Sequence, residues 1–118
     1  MRVRLPLPAR STSSLRRRAV GNDCVAVVEA LSRQVYNPAI HLRPDETEPP
    51  VANTKQRLER FVECSATGSE NAALRKLARA VIDMSQLVKH SSAPTRLEAG
   101  ICADAVIQLA NMLRRLTS

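Results

Sequence analysis

The chain has no tryptophan, one tyrosine (Tyr36), one phenylalanine (Phe61) and only three glycines in 118 residues. Strands draw on aromatic side chains and sheet turns on glycine, so the composition argues against an all-β sandwich or barrel. No apolar run approaches the roughly 18–20 residues of a membrane span, and the N-terminus lacks the apolar stretch of a secretory signal. The three cysteines, Cys24, Cys64 and Cys102, are far apart in sequence, so no CxxC metal or redox pair exists. Histidine is scarce too. Neither His41 nor His90 has a Cys, Asp or Glu at ligand spacing on one helix face. P-loop, GxGxxG, HExxH and EF-hand patterns are all missing. No metal and no cofactor is implied, and no set of catalytic residues emerges.

What remains is helix-forming. Ala, Arg and Leu dominate, and all three favour helices. The formal net charge of +7 is unevenly spread. Residues 1–18 hold six arginines (Arg2, Arg4, Arg10, Arg16, Arg17, Arg18) and no acid; the other twelve basic residues face all eleven acids, leaving +1. The body is near neutral, unlike a domain built to coat nucleic acid. The pattern predicts a disordered basic tail over 1–18 and a single helical domain over 19–118. An Arg-rich, acid-free start also resembles an organelle transit segment, although Pro6 and Pro8 interrupt any helix there.

Four helices are predicted. The first, about 22–36, is capped by Asn22 and carries the apolar run Cys24–Val28. Residues 37–52 contain four prolines with Asp45, Glu46 and Glu48, and read as an exposed acidic loop. The second helix, about 54–66, starts at Asn53 with Gln56 in a capping-box-like pair, and buries Leu58, Phe61 and Val62. The third, about 70–90, is capped by Ser69. Its seam is Leu74, Leu77, Val81, Met84 and Val88, with Arg79 and Asp83 one turn apart on the outer face. Thr95 and Glu98 form a capping box for the fourth, about 96–116, whose seam is Ala99, Cys102, Val106, Leu109, Leu113 and Leu116. The short link makes helices three and four an antiparallel αα-hairpin. The fold class is all-α and four-helix-bundle-like. The three cysteines fall on apolar faces and read as buried reduced thiols, as in a reducing compartment.

From Ala99 to Leu113 the only charge is Asp104, so the last helix has a wide apolar arc. Such a helix is central in a bundle or shared with a second chain. Ile101, Ala105, Val106, Leu109 and Met112 are the candidate homodimer interface. For a nucleic acid or another anion the candidates are Arg75, Lys76, Arg79, Lys89 and His90, which gather positive charge on and beyond the outer side of helix three. Single-stranded RNA calls for aromatic platforms as well, and two aromatics are few. His90 beside Ser91 and Ser92 is proximity in sequence rather than a catalytic arrangement.

The stretch Leu74-Arg75-Lys76-Leu77 through Val88-Lys89-His90, Ser91-Ser92-Ala93-Pro94-Thr95-Arg96-Leu97-Glu98-Ala99 and the apolar helix after it resembles the C-terminal half of HEPN-type helical domains. These are small bundles of bacterial defence and toxin systems, and many pair through their helices around a polar site. The likeness covers about 45 residues. Ribonuclease members carry an arginine, four to six residues, then a histidine. The window upstream of His90 holds Asp83, Met84 and Ser85, with Arg79 too distant; the window of His41 holds Gln34, Val35 and Tyr36, with Arg33 one position short. The resemblance therefore implies a non-catalytic member. The expected function is a non-enzymatic, homodimeric interaction or assembly module in the cytoplasm, with no membrane partner. The alternatives are an RNA-directed HEPN-like toxin or defence subunit, and an assembly subunit of an organelle matrix.

Overall fold

The computed structural model describes residues 10–87 and 93–117, and among them every regular element is helical. In chain order these are α1 (Arg10–Val35), a one-turn α2 (Pro38–His41), α3 (Thr54–Ser65), α4 (Ala72–Ser85) and α5 (Arg96–Thr117). A 3-10 turn over Ser69–Asn71 leads into α4.

Residues 10–18 of the sequence-predicted tail fall within the bounds of α1. The helix begins twelve residues before Asn22, which is therefore an interior position and not a cap. Leu15-Arg16-Arg17-Arg18-Ala19 are good helix formers, and no proline interrupts them. The longer helix also gains a tertiary anchor: Arg17 Nε donates to Pro94 O at 2.9 Å. Residues 1–9 of the predicted tail lie outside the described residues.

The four long helices close a ring in which α1 touches α3 and α5, while α4 touches α3 and α5. Cys102 Sγ donates to Ser85 O at 3.0 Å, joining the last residue of α4 to the second turn of α5. The two helices are thus the expected antiparallel hairpin. α1 runs parallel to α5, because Arg17 meets the start of α5 while Leu31 and Val35 line a groove with Leu113 and Thr117 near its end. Val28, Leu58, Ile82, Cys102, Leu109 and Leu113 meet in the fully buried centre. Each of the four long helices contributes, so no single hairpin could keep that apolar surface from water.

Local signals behaved unevenly. Asn53 Oδ1 accepts from Gln56 N, the expected cap, but Gln56 Oε1 accepts from Asn53 Nδ2 at 2.9 Å while the Asn53 backbone N–H goes to Pro50 O, so the box is only half formed. Thr95 Oγ1 accepts from Glu98 N at 3.1 Å while Glu98 accepts from Thr95 N at 2.9 Å, the full reciprocal box. Gly68, at φ +87° and ψ 161°, turns the chain between α3 and the 3-10 segment in a conformation open essentially to glycine alone.

The seam assigned to α4 is rotated in the structure. Ala78, Val81, Ile82 and Ser85 point inward, Leu74 and Met84 are half-buried, and Leu77 is exposed. The cause is that α4 packs on two helices, α3 and α5. Its buried arc centres between them, where small Ala78 and Ser85 admit close neighbours. Ser85 remains satisfied because its hydroxyl donates to Ile82 O at 2.7 Å. The predicted continuation of this helix to residue 90 ends at Ser85 as a regular α-helix, and Val88 lies outside the described residues. Arg79 and Asp83 do not pair: Asp83 binds Lys55 at 2.7 Å and Arg79 approaches Glu63 at 3.7 Å, both on α3. Cys24 and Cys102 are buried as expected, but Cys64 is exposed near the end of α3.

Candidate functional site

The proline-rich segment 37–52 is where structure departs furthest from sequence. Asn37 caps the one-turn α2 by accepting from Ala39 N, and Pro38 opens it, a position where a missing N–H costs nothing. The segment is then gripped by two arginines one turn apart on α3. Arg57, only 8% exposed, donates from Nε and Nη2 to Pro49 O at 3.1 and 2.7 Å and from Nε to Pro50 O at 3.1 Å. Its guanidinium also lies 4.6 Å from the Tyr36 ring centroid. Arg60 holds Glu46 through a forked contact and reaches Glu63 at 3.1 Å, and Arg43 closes the network on Glu63 at 2.7 Å. The acidic segment is therefore a clasp built on α3, not a free loop.

Inside the clasp His41 is buried against Tyr36 and Phe61, with ring centroids 5.8 and 5.3 Å away. Its Nδ1 accepts from Asn37 N at 2.8 Å, which fixes a neutral ring, and burial pushes its pKa below the ordinary 6.5. The Arg60 contact likewise holds the Glu46 carboxyl below its ordinary 4.5. Both shifts mean that the unfolded chain binds protons more readily than the folded one. The stability that these two groups supply is thus present at neutral pH, falls as pH drops below 6.5 through the His41 range, and falls again below 4.5 through the Glu46 range. An NMR titration of the His41 ring is expected to give a midpoint below 6.5; a midpoint above it would contradict this packing. The cluster has no reactive partner for the imidazole. Among the described residues no three His, Cys, Asp or Glu side chains converge as a metal site requires.

The sequence-predicted anion face is only partly assembled. Arg75 turns inward along the chain, donating from Nη1 to Ala66 O and Gly68 O, both at 2.7 Å, so it caps the end of α3. Arg79 leans on Glu63, and Lys76 is exposed. Lys89 and His90 lie outside the described residues.

The predicted dimer residues divide sharply. Ala105, Val106, Leu109 and Met112 are buried within the single chain, and only Ile101 of the five is exposed. The wide arc of α5 is accounted for chiefly by α1 on one side and α4 on the other, with α3 also touching it. Cys24 on α1 faces Cys102 on α5, and burial, together with that neighbour, pushes the Cys24 thiol up to about 11. Cys24 therefore stays a protonated core side chain, and Cys102 is buried beside it.

A different strip of α5 is left uncovered. Leu97 is 71% exposed, Ile101 38% and Ile107 62%. Arg96, Leu97, Gly100, Ile101 and Asp104 line one shallow concavity of about 550 Å³. Ile101 and Asp104 also line a second, which runs into the seam with Ala80, Val81 and Met84 of α4. Arg96, Gly100 and Asp104 are four residues apart and so share one edge of the helix. Gly100 leaves that edge flat, since nothing lies within 4 Å of where a Cβ would sit.

The chain matches no family model, no curated protein and no solved structure. Its geometry is therefore the sole guide to its site. Also among the described residues, no helix is long and apolar enough to cross a membrane.

Leu97, Gly100 and Ile107 went unselected in the sequence because a three-four seam names the inward residues, and these lie off it. The signal that could have found them is the complement of the seam. A solvent face on α5 should be charged, yet between Arg96 and Arg114 the exposed strip carries only Asp104.

Proposed function

We propose that the chain is a non-enzymatic helical interaction module whose working surface is the exposed apolar strip of α5 and its seam with α4. The observation that carries this reading is the exposure of Leu97, Ile101 and Ile107 on one helix, with concavities beside Leu97 and Ile101. The other large exposed aliphatics, Val27, Ile40, Val51 and Leu77, are distributed over four different segments. Scattered aliphatics are ordinary on a protein surface; three large ones on one helix, flanking a charged edge, mark a contact face. The hairpin's likeness to HEPN-type domains accords with this reading, in which the chain stands as a non-catalytic member. Two core thiols left unbridged suit a reducing compartment such as the cytoplasm.

The test places a photo-crosslinking amino acid at Leu97 or at Glu59, on α3, in the source cell. Discrete adducts are expected from position 97 and none from position 59. Irradiation that leaves the Leu97 variant entirely at the chain's own mass would defeat the reading.

A further inference from the structure

The strip of α5 has an internal symmetry that specifies its occupant. Gly100 is its flattest point. Four residues before it stands Arg96 and four residues after it Asp104, both exposed. Neither has an ion-pair partner among the described residues, although Lys55, Arg43, Arg57, Arg60 and Arg79 all have theirs. A positive and a negative group at equal distances on either side of a glycine complement the same helix turned end over end. We infer that α5 pairs with α5 of a second copy of this chain, antiparallel and crossing at Gly100, an inference that rests on the contact-face reading above.

The geometry follows from helix dimensions. Arg96 and Asp104 are eight residues apart, about 12 Å along the axis. A two-fold axis through Gly100 sets Arg96 of each copy level with Asp104 of the other, giving two reciprocal ion pairs. The missing Cβ lets the backbones approach closely at the crossing. Leu97 and Ile101, on the same flank as the seam with α4, then cover each other across the axis, and Ile107 extends the strip beyond the charged edge. A parallel pairing would set Arg96 against Arg96 and Asp104 against Asp104, so the charges select the antiparallel arrangement. Nothing else on the strip is charged, so a strongly acidic or basic partner has little to engage.

The charge pattern gives a test with an unusual signature, read by sedimentation equilibrium of the full chain. The wild type should be dimeric at micromolar concentration. Arg96→Glu sets Glu against Asp104 at both ends, and Asp104→Arg sets Arg against Arg96 at both ends. Each variant alone should dissociate about 30-fold more readily, the sum of small surface-pair effects at two sites. An equimolar mixture of the two variants should regain the dimer, because each copy now supplies the charge that the other lacks. Both positions are exposed, and unchanged circular dichroism confirms that each variant is folded. A wild type that stays monomeric at high micromolar concentration overturns self-pairing. So does a dimer indifferent to both substitutions, or a mixture that fails to reassociate. If the Leu97 crosslink then has the mass of a different protein, self-pairing fails and the contact face stands; no adduct at all removes both.

Discussion

Replacing Arg57 with alanine is expected to lower the unfolding free energy by about 3 kcal/mol. The side chain's hydrogen bonds to the carbonyls of Pro49 and Pro50 involve a charged donor, and such bonds contribute about 1.5–3 kcal/mol. Its stack on Tyr36 adds about 1 kcal/mol. Removing it also leaves the buried Pro49 carbonyl without its donor. Arg57→Lys should recover only a fraction, because an ammonium cannot present the same fork to both carbonyls. Urea unfolding measures the energy, and cleavage by a glutamate-specific protease at Glu46 reports where it is lost, the bond after Glu48 being closed to it by Pro49. Faster cleavage at Glu46, before any cleavage in α3, is the expected order. An Arg57→Ala protein as stable as the wild type would show that the clasp is not what holds the segment.

The helices were legible in the sequence wherever a local rule governs. Asn53 with Gln56 and Thr95 with Glu98 announce helix starts through hydrogen bonds that span three residues; both caps form, and the second pair closes the full box. The core of α5 was legible for a related reason: Cys102, Val106, Leu109 and Leu113 face two neighbouring helices and keep their seam. What stayed hidden depends on distant partners. Arg57 and Arg60 look like ordinary solvated arginines on a short charged helix, and only the return of residues 43–50 over α3 turns them into anchors. Asn22 looks like a cap because a polar residue precedes an apolar run. The contact of Arg17 with Pro94 carries the helix past it. The candidate contact strip was obscured by an assumption about direction. The wide apolar arc offers itself as a surface shared with a second chain, yet Ala105 and Met112 are covered by the chain itself, while Leu97 and Ile107 are not.

That division has a measurable consequence on α5. Leu109 is fully buried at the centre of the core, so Leu109→Ala should cost about 3–4 kcal/mol, the lost burial together with the cavity it leaves. For a domain of this size that lowers the melting temperature by about 15 °C or more. Met112→Asp should do greater harm still, because it puts an unpaired carboxylate where only 7% of the residue meets solvent. Ile101→Asp changes a residue that is 38% exposed and should shift stability by under about 1 kcal/mol. The three substitutions would look interchangeable if α5 had one undivided apolar face. Only the third can report on association, since loss of a dimer after the first two would be unfolding. Thermal melts by circular dichroism should therefore rank wild type and Ile101→Asp together, Leu109→Ala well below them, and Met112→Asp lowest or without a transition. A Leu109→Ala protein that melts with the wild type while Ile101→Asp unfolds would reverse the inner and outer faces of α5, and with them the placing of the contact strip.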